Sequence, residues 1–240
     1  RTASHLGYTT VALTDTNNLY GLWPFLAACA DHGLTPIIGA EVRTEQQRLF
    51  CLVHDMAGYR NLSRLLTARH CDPAFTLAAA LPSRHAGMTL LATDQELLRL
   101  GRDIGADTAA ALTGRPDQRN STLRHAARRL GLPAVAVQDS LYLAPEDDQV
   151  LRLLRAIDRN SSLCRLPPTE IATDTSLPAP AEWRQRFQVW PECLAAAASI
   201  AEKCILRTPY TGLIMPPWSE GNADTQLRAL LADILGLGEE

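Results

Sequence analysis

The sequence has few aromatic residues, almost no lysine, no long apolar run and no paired cysteines. Aromatic residues make up 5% of the 240 residues, and Lys203 is the only lysine among 23 basic residues. No apolar run approaches the ~20 residues of a membrane span, and no signal peptide precedes the first predicted strand. The 6 cysteines lack a Cys-x-x-Cys spacing, which argues against a zinc knuckle or a redox motif and favours a reduced, cytoplasmic location. The formal net charge of -3 gives no overall basic field for nucleic acid.

The beginning of the chain predicts a βαβ unit. An apolar run at Val11–Thr14 stops at Asp15, where a loop begins. A helix follows, and Gly33 lies where a left-handed residue commonly ends a helix. A buried strand at Thr35–Ala40 then delivers Glu41 to its carboxyl end. In parallel α/β folds, ligands bind at the edge formed by the carboxyl ends of the strands. Asp15 and Glu41 should therefore face the same opening at that edge, which is called the mouth below.

Short apolar runs and helices continue to alternate along the chain. A strand at Arg48–Val53 should pair with the preceding strand as a hairpin, and helices separate three further runs. These runs are Met88–Ala92, Thr108–Thr113 and Pro133–Gln138. With 46% hydrophobic residues available for a core, the pattern predicts an α/β fold with a mostly parallel sheet or barrel.

Composition divides the chain into three predicted parts. Residues 1–163 form the α/β barrel. Residues 164–189, where prolines and polar residues dominate, form a linker or a wrapping segment. Residues 190–240 form a small helical appendage, with helices expected at Trp190–Cys204 and Thr225–Leu235.

Short motifs along nearly the whole chain occur in the order of one known family. They are Thr14–Gly21, Pro36–Glu41, Gly58–Leu62, Thr113–Asp117, Leu132–Tyr142, Pro191–Glu192 and Ile200–Cys204. These segments resemble the PHP (polymerase and histidinol phosphatase) domain of the bacterial DNA polymerase III alpha subunit family. The resemblance implies a distorted (β/α)7-type PHP barrel with a helical C-terminal appendage. It also implies a first strand bearing His-x-His ahead of Arg1 and a polymerase core that follows the appendage.

The resemblance indicates where the metal ligands of a hydrolytic PHP domain would fall. Such domains hold two or three divalent metals with a cluster of His, Asp and Glu. Three histidine positions fall on residues that coordinate metals poorly or not at all: Thr16, Arg48 and Leu141. Glu41 and Asp139 remain at ligand positions, and Asp15 remains beside one. A multinuclear centre is therefore not expected, and no cofactor is expected unless a residual site holds Zn, Mn or Mg.

The remaining carboxylates have a structural interpretation that we prefer over residual metal binding. Asp15 would cap the following helix, and Asp139 would accept hydrogen bonds from loop amides. Glu41 would pair with Arg48 across the hairpin. Arg48 would then replace a metal as the cation that neutralises clustered carboxylates.

The densest basic cluster includes Arg115, Arg124 and Arg128. One interpretation is a contact with the phosphate backbone of DNA. The other is a solvated helix face, which we prefer because Asp117 dilutes the charge and no aromatic residues interleave for base stacking.

Three functions compete at this stage. The favoured one is a PHP domain of a DNA polymerase III alpha-type protein, in replication or repair synthesis, that has lost its metals. It would be inactive by itself and would stabilise the polymerase or dock a proofreading or accessory subunit, with DNA contacted indirectly and no membrane involved. The alternatives are an active metal-dependent phosphoesterase or 3′ to 5′ exonuclease, and an unrelated α/β-barrel metabolic enzyme with accidental motif matches. Both the replicative and the error-prone branches of the polymerase family fit the sequence.

Overall fold

A six-strand sheet organises the fold. The computed structural model describes residues 1–167, 175–210, 212 and 221–235. The strands are β1 Thr10–Thr16, β2 Thr35–Arg43, β3 Arg48–Val53, β4 Met88–Ala92, β5 Asp107–Thr113 and β6 Ala134–Val137. They are neighbours in the sheet in the same order as in the sequence.

The sheet is mixed. Strand β1 pairs with β2 in parallel, as do β4 with β5 and β5 with β6. Strand β3 runs antiparallel to both of its neighbours, β2 and β4, so the predicted hairpin is confirmed. The sheet curls into a half-barrel, which confirms the predicted α/β fold of the distorted-barrel type.

The described residues also form ten α-helices. They are α1 Thr2–His5, α2 Leu22–Asp31, α3 Met56–Cys71, α4 Leu77–Ala80, α5 Gln95–Asp103, α6 Gln118–Arg129, α7 Asp148–Asp158, α8 Pro180–Arg186, α9 Pro191–Lys203 and α10 Ala223–Leu235. At α3, α5 and α6 an aspartate carboxylate accepts a hydrogen bond from the first turn, and these caps are Asp55, Asp94 and Asp117. Within the described ranges, no helix is both long enough and apolar enough to cross a membrane.

Gly58, at the start of α3, explains one of the sequence motifs. Its backbone lies against the backbone of Gly87, and a Cβ atom added to Gly58 would come within 1.9 Å of the Gly87 carbonyl oxygen. Any side chain would therefore push α3 away from the loop before β4. The motif requires glycine because two backbone segments touch at this point.

The two faces of the sheet bury different clusters, because successive strand residues point to opposite sides. On one face, Ile38, Cys51 and Leu90 belong to a core cluster that includes residues of α3, α5 and α6. On the other face, Phe50 and Leu91 belong to a smaller cluster that includes Ile200 and Cys204. The sheet is thus covered by helices on one side and by α9 on the other.

The described residues divide into two compact units, Arg1–Pro209 and Tyr210–Glu240. Helix α9 belongs to the first unit and packs against β6, whereas the sequence-based division placed this helix in the appendage. The reason is that Ile200 and Cys204 are buried against the sheet. The second unit contains α10. Part of the predicted linker, residues 168–174, lies outside the described residues.

Candidate functional site

The strand register brings three of the predicted site residues to one edge of the sheet. Thr16 ends β1 and lies opposite Glu41 of β2. Arg48 begins β3 and pairs in register with Arg43, at the end of β2. Because β3 is antiparallel, its first residue lies at the same end of the sheet as the last residues of β1 and β2. Asp139 follows the end of β6, at the same edge.

Arg48 is the centre of the contacts at this mouth. Its Nε donates a hydrogen bond to Glu41 Oε1 at 2.5 Å, and its Nη2 donates to Asp139 Oδ2 at 2.6 Å. Thr16 Oγ1 donates to the second oxygen of Glu41, Oε2, at 2.8 Å. Arg43 Nε also lies 3.1 Å from Glu41 Oε1. Both oxygens of the Glu41 carboxylate are therefore used, and the residue is only 4% exposed.

The surroundings keep Arg48 charged. Burial acts to lower the pKa of its guanidinium, but the charges of Asp139 and Glu41 and the hydrogen bonds to both outweigh burial and raise the pKa above its ordinary value. The guanidinium also lies over the ring of Phe50, with its central carbon 4.6 Å from the ring centre. The cation is held by carboxylates and by an aromatic face.

Asp15 does not join this cluster. Its Oδ2 accepts a hydrogen bond from the backbone N–H of Gly21 at 2.9 Å, immediately before α2. The carboxylate therefore binds the backbone that leads into α2; the structural interpretation predicts a cap at this helix, but Asp15 contacts the residue before the helix and not its first turn. For Asp139, the same interpretation predicts loop amides as partners, but the structure places Asp139 against Arg48, which contributes a stronger, charge-assisted hydrogen bond.

A cavity of about 580 Å³ opens at the mouth. All three positions expected to have lost a histidine line it, together with Glu41 and Asp139. Three arginines that no sequence motif marks also line this cavity: Arg43, Arg155 and Arg159. Arg155 and Arg159 reach the cavity from the end of α7. Arg152, Arg155 and Arg159 recur at helical spacing, and this spacing is the sequence signal that predicts a basic face on the helix.

A second cavity, also of about 580 Å³, lies beside the first and is more apolar. Residues of β1, β6 and α9 line it, and Asp15 contributes to its wall. Glu41, Asp139 and Leu141 line both cavities. Asp15 and Glu41 therefore both line this second cavity, at the same end of the sheet.

A separate polar cluster lies at the opposite edge of the sheet. His54 Nε2 is 2.7 Å from Thr89 Oγ1, and Thr89 Oγ1 donates to Asp107 Oδ2 at 2.8 Å. Lys203 Nζ donates to the same oxygen at 2.9 Å. Burial lowers the pKa of His54, with Asp107 acting to raise it and Lys203 to lower it. The cluster ties the end of α9 to the sheet.

The predicted basic cluster is only partly available to a ligand. Arg124 Nε donates to Glu192 Oε1 at 2.8 Å, and its guanidinium lies 5.3 Å from the ring centre of Trp190. Arg124 thus joins α6 to the start of α9. Arg115 and Arg128 are exposed.

The comparisons with known proteins agree with this geometry. A family model described as "PHP domain" matches residues 1–129. The error-prone DNA polymerase of Anaeromyxobacter dehalogenans (strain 2CP-1 / ATCC BAA-258) is 31% identical over 236 residues, covering 85% of this chain and 20% of the relative. The DNA polymerase III subunit alpha of Bacillus subtilis (strain 168) is 28% identical over 231 residues, covering 84% of this chain and 21% of the relative.

The DNA polymerase III subunit alpha of Streptococcus pyogenes serotype M1 is 26% identical over 181 residues, covering 70% of this chain and 16% of the relative. The chain thus spans about a fifth of the length of these curated relatives. The alternative of accidental motif matches is wrong, because the family model covers more than half of the chain. The chain belongs to the PHP domain family and is homologous to parts of DNA polymerase III alpha subunits and error-prone DNA polymerases.

Proposed function

We propose that this chain is the PHP domain of a DNA polymerase III alpha-type polypeptide in which an arginine has taken the place of a metal centre. The observation that carries this proposal is the position of Arg48 between Glu41 and Asp139. The domain would support the polymerase physically and would not hydrolyse phosphoesters by itself. Its partners would be the polymerase core of the same polypeptide and a proofreading or accessory subunit, with DNA contacted indirectly.

The donor set at the mouth does not suit a divalent metal. A guanidinium carries a permanent positive charge and no free lone pair, so Arg48 repels a metal ion and cannot coordinate it. The carboxylates that would bind the ion already accept hydrogen bonds from Arg48. Leu141 has no donor atom, and the Thr16 hydroxyl is a poor ligand for zinc. Within the part of the chain that the structure describes, no group of three or more His, Cys, Asp or Glu could hold an ion.

This chemistry bears directly on hydrolysis. Metal-dependent phosphoesterases need the ion to lower the pKa of the attacking water and to offset charge on the phosphoryl group. Arg48 can offset charge but cannot bind and activate water as a metal does. Its donors are also directed to Glu41 and Asp139. The arrangement therefore favours a structural role for the mouth over a catalytic one.

A pair of arginine variants tests the loss of the metal. The purified chain should hold only substoichiometric zinc or manganese by elemental analysis and should not hydrolyse single-stranded DNA. Arg48→His removes the cation and adds an imidazole beside two carboxylates, so it should raise the affinity for Zn²⁺. Arg43→His is the matched control, because it leaves Arg48 in place. Manganese-dependent hydrolysis that disappears in Glu41→Gln would instead show an active metal centre.

A second experiment tests support of the polymerase, using the polypeptide that also contains a polymerase core. Phe187 is 0% exposed, so Phe187→Ala should weaken the domain by about 3–5 kcal/mol. Primer extension should then be lost at a lower temperature. Leu163→Ala, at a position that is 54% exposed, should change nothing. If primer extension keeps its heat resistance in Phe187→Ala, the domain does not support the polymerase.

A further inference from the structure

Helix α7 has an amphipathic pattern whose apolar side faces solvent. Its four large exposed aliphatic residues lie at helical spacing i, i+3, i+4 and i+7, which places them on one face. They are Val150 (56% exposed), Leu153 (49%), Leu154 (58%) and Ile157 (65%), called the outer stripe below. Ala156 is the only buried residue of the helix.

The other side of α7 is the one that faces the charged mouth. Arg155 and, just after the helix, Arg159 line the mouth cavity. Arg152 lies nearer to that side and pairs with Asp148, one turn earlier, at 2.7 Å. Arg155 and Arg159 thus face the cavity while the outer stripe faces solvent, the reverse of an ordinary surface helix. Exposing aliphatic area costs about 25 cal/mol per Å², so covering the outer stripe would be favourable, and a contiguous exposed apolar patch typically marks an interaction surface.

We propose that the outer stripe docks an amphipathic helix of the polymerase portion of the same polypeptide. This inference rests on the proposed function. The docked helix would present aliphatic side chains with the same spacing and pack in the ridges-into-grooves manner. The surface lies on α7 and includes neither Glu41 nor Arg48, so it is separate from the mouth cluster.

The size of the stripe favours a tethered occupant over a free one. A stable interface between separate molecules buries about 800 Å² on each partner, and four half-exposed aliphatic side chains supply roughly half of that. A segment joined to the domain by the chain itself has an effective concentration in the millimolar range, so a small contact is enough. The curated relatives are polymerases of which this chain spans about a fifth, so their length leaves room for such a segment.

The charges around α7 specify the direction of the partner helix. The start of α7 is acidic, with Glu146, Asp147 and Asp148 in succession. Arg165 is exposed beyond its end. A helix that runs antiparallel to α7, with its last turn basic, would place that turn beside Glu146 and Asp147. Basic residues in the last turn of the partner helix would also interact favourably with the macrodipole of that helix.

Hydrogen exchange of the α7 amides tests this contact. Amides within 151–157 should exchange about tenfold more slowly in the polypeptide that contains the polymerase core than in the 240-residue chain, because docking suppresses local opening. Leu154→Arg should abolish the difference. Val189→Arg is the matched control, since Val189 is an exposed aliphatic residue (62%) outside the stripe. Leu154→Arg should leave the melting temperature of the 240-residue chain unchanged, which separates lost docking from misfolding.

Two outcomes would overturn the inference. Equal exchange of α7 in the long and short chains would show that the polymerase portion does not cover the stripe. A concentration-dependent dimer of the 240-residue chain that Leu154→Arg dissociates would make a second copy the occupant. Neither outcome changes the results expected from the metal and hydrolysis tests of Arg48 and Glu41. The docking inference can therefore be wrong while the proposed function remains supported. Failure of the Phe187→Ala test would instead remove the proposed function on which the inference rests.

Discussion

Removing the positive charge of Arg48 tests most directly whether this residue stabilises the carboxylates at the mouth. Arg48→Met replaces the aliphatic part of the side chain but leaves the Glu41 carboxylate, which is 4% exposed, without its principal cation. Breaking one partner of a buried ion pair typically costs 3–5 kcal/mol. Because the Arg48 side chain is 23% exposed, we expect a loss of about 3 kcal/mol in the free energy of unfolding.

A double-mutant cycle separates the interaction energy of the Arg48–Glu41 pair from the other effects of the two substitutions. Glu41→Gln alone should also destabilise the domain, because it leaves Arg48 with one carboxylate. The double variant should lose less than the sum of the single variants, with a coupling energy of about 1–3 kcal/mol. Urea denaturation followed by tryptophan fluorescence measures all four proteins.

Arg43→Met provides the matched control for the cycle. Arg43 contacts the same Glu41 oxygen at 3.1 Å, but its side chain is 47% exposed, so its loss should cost less than about 1 kcal/mol. A coupling energy near zero between Arg48 and Glu41, or an equal effect of Arg43→Met, would refute the view that Arg48 is the cation on which the mouth depends.

Three further predictions concern other parts of the fold. Gly58→Ala should destabilise the domain by several kcal/mol, or abolish folding, because its Cβ would meet the Gly87 backbone; the melting temperature measures this. The lowered pKa of His54 means that the folded protein binds this proton less readily than the unfolded chain, so stability should fall as the pH drops below about 6.5. His54→Gln should flatten that part of a pH series of urea midpoints. Asp117→Ala should cost about 1 kcal/mol, since it removes the cap of α6, whereas Asp117→Asn should cost little.

The sequence could predict those parts of the site that depend on local geometry. The pairing of Glu41 with Arg48 follows from a hairpin whose strands are adjacent in sequence, and the hydrogen bond of Asp15 joins it to a residue six positions away. The contact between Arg48 and Asp139 spans 91 residues. It depends on the curl of the whole sheet, which neither segment specifies by itself.

The orientation of α7 was beyond sequence reasoning for a different reason. An apolar face at helical spacing ordinarily predicts the side that packs on the core. In α7 two arginines line the charged mouth cavity and the apolar face is exposed, so the apolar spacing alone indicates the wrong face. Likewise, no local signal in the sequence shows that Ile200 and Cys204 meet the sheet, so composition alone groups α9 with the appendage.

The position of Arg48 also bears on how the mouth responds to its environment. A coordinated ion is in equilibrium with solution, so a domain that depends on one gains or loses stability with metal supply, and a chelator can unfold it. The guanidinium of Arg48 is covalently part of the chain, and its charge persists at every pH at which the protein is folded. The carboxylates of Glu41 and Asp139 therefore have a counter-charge that cannot dissociate, and under the proposed function metal starvation should leave this edge of the sheet intact.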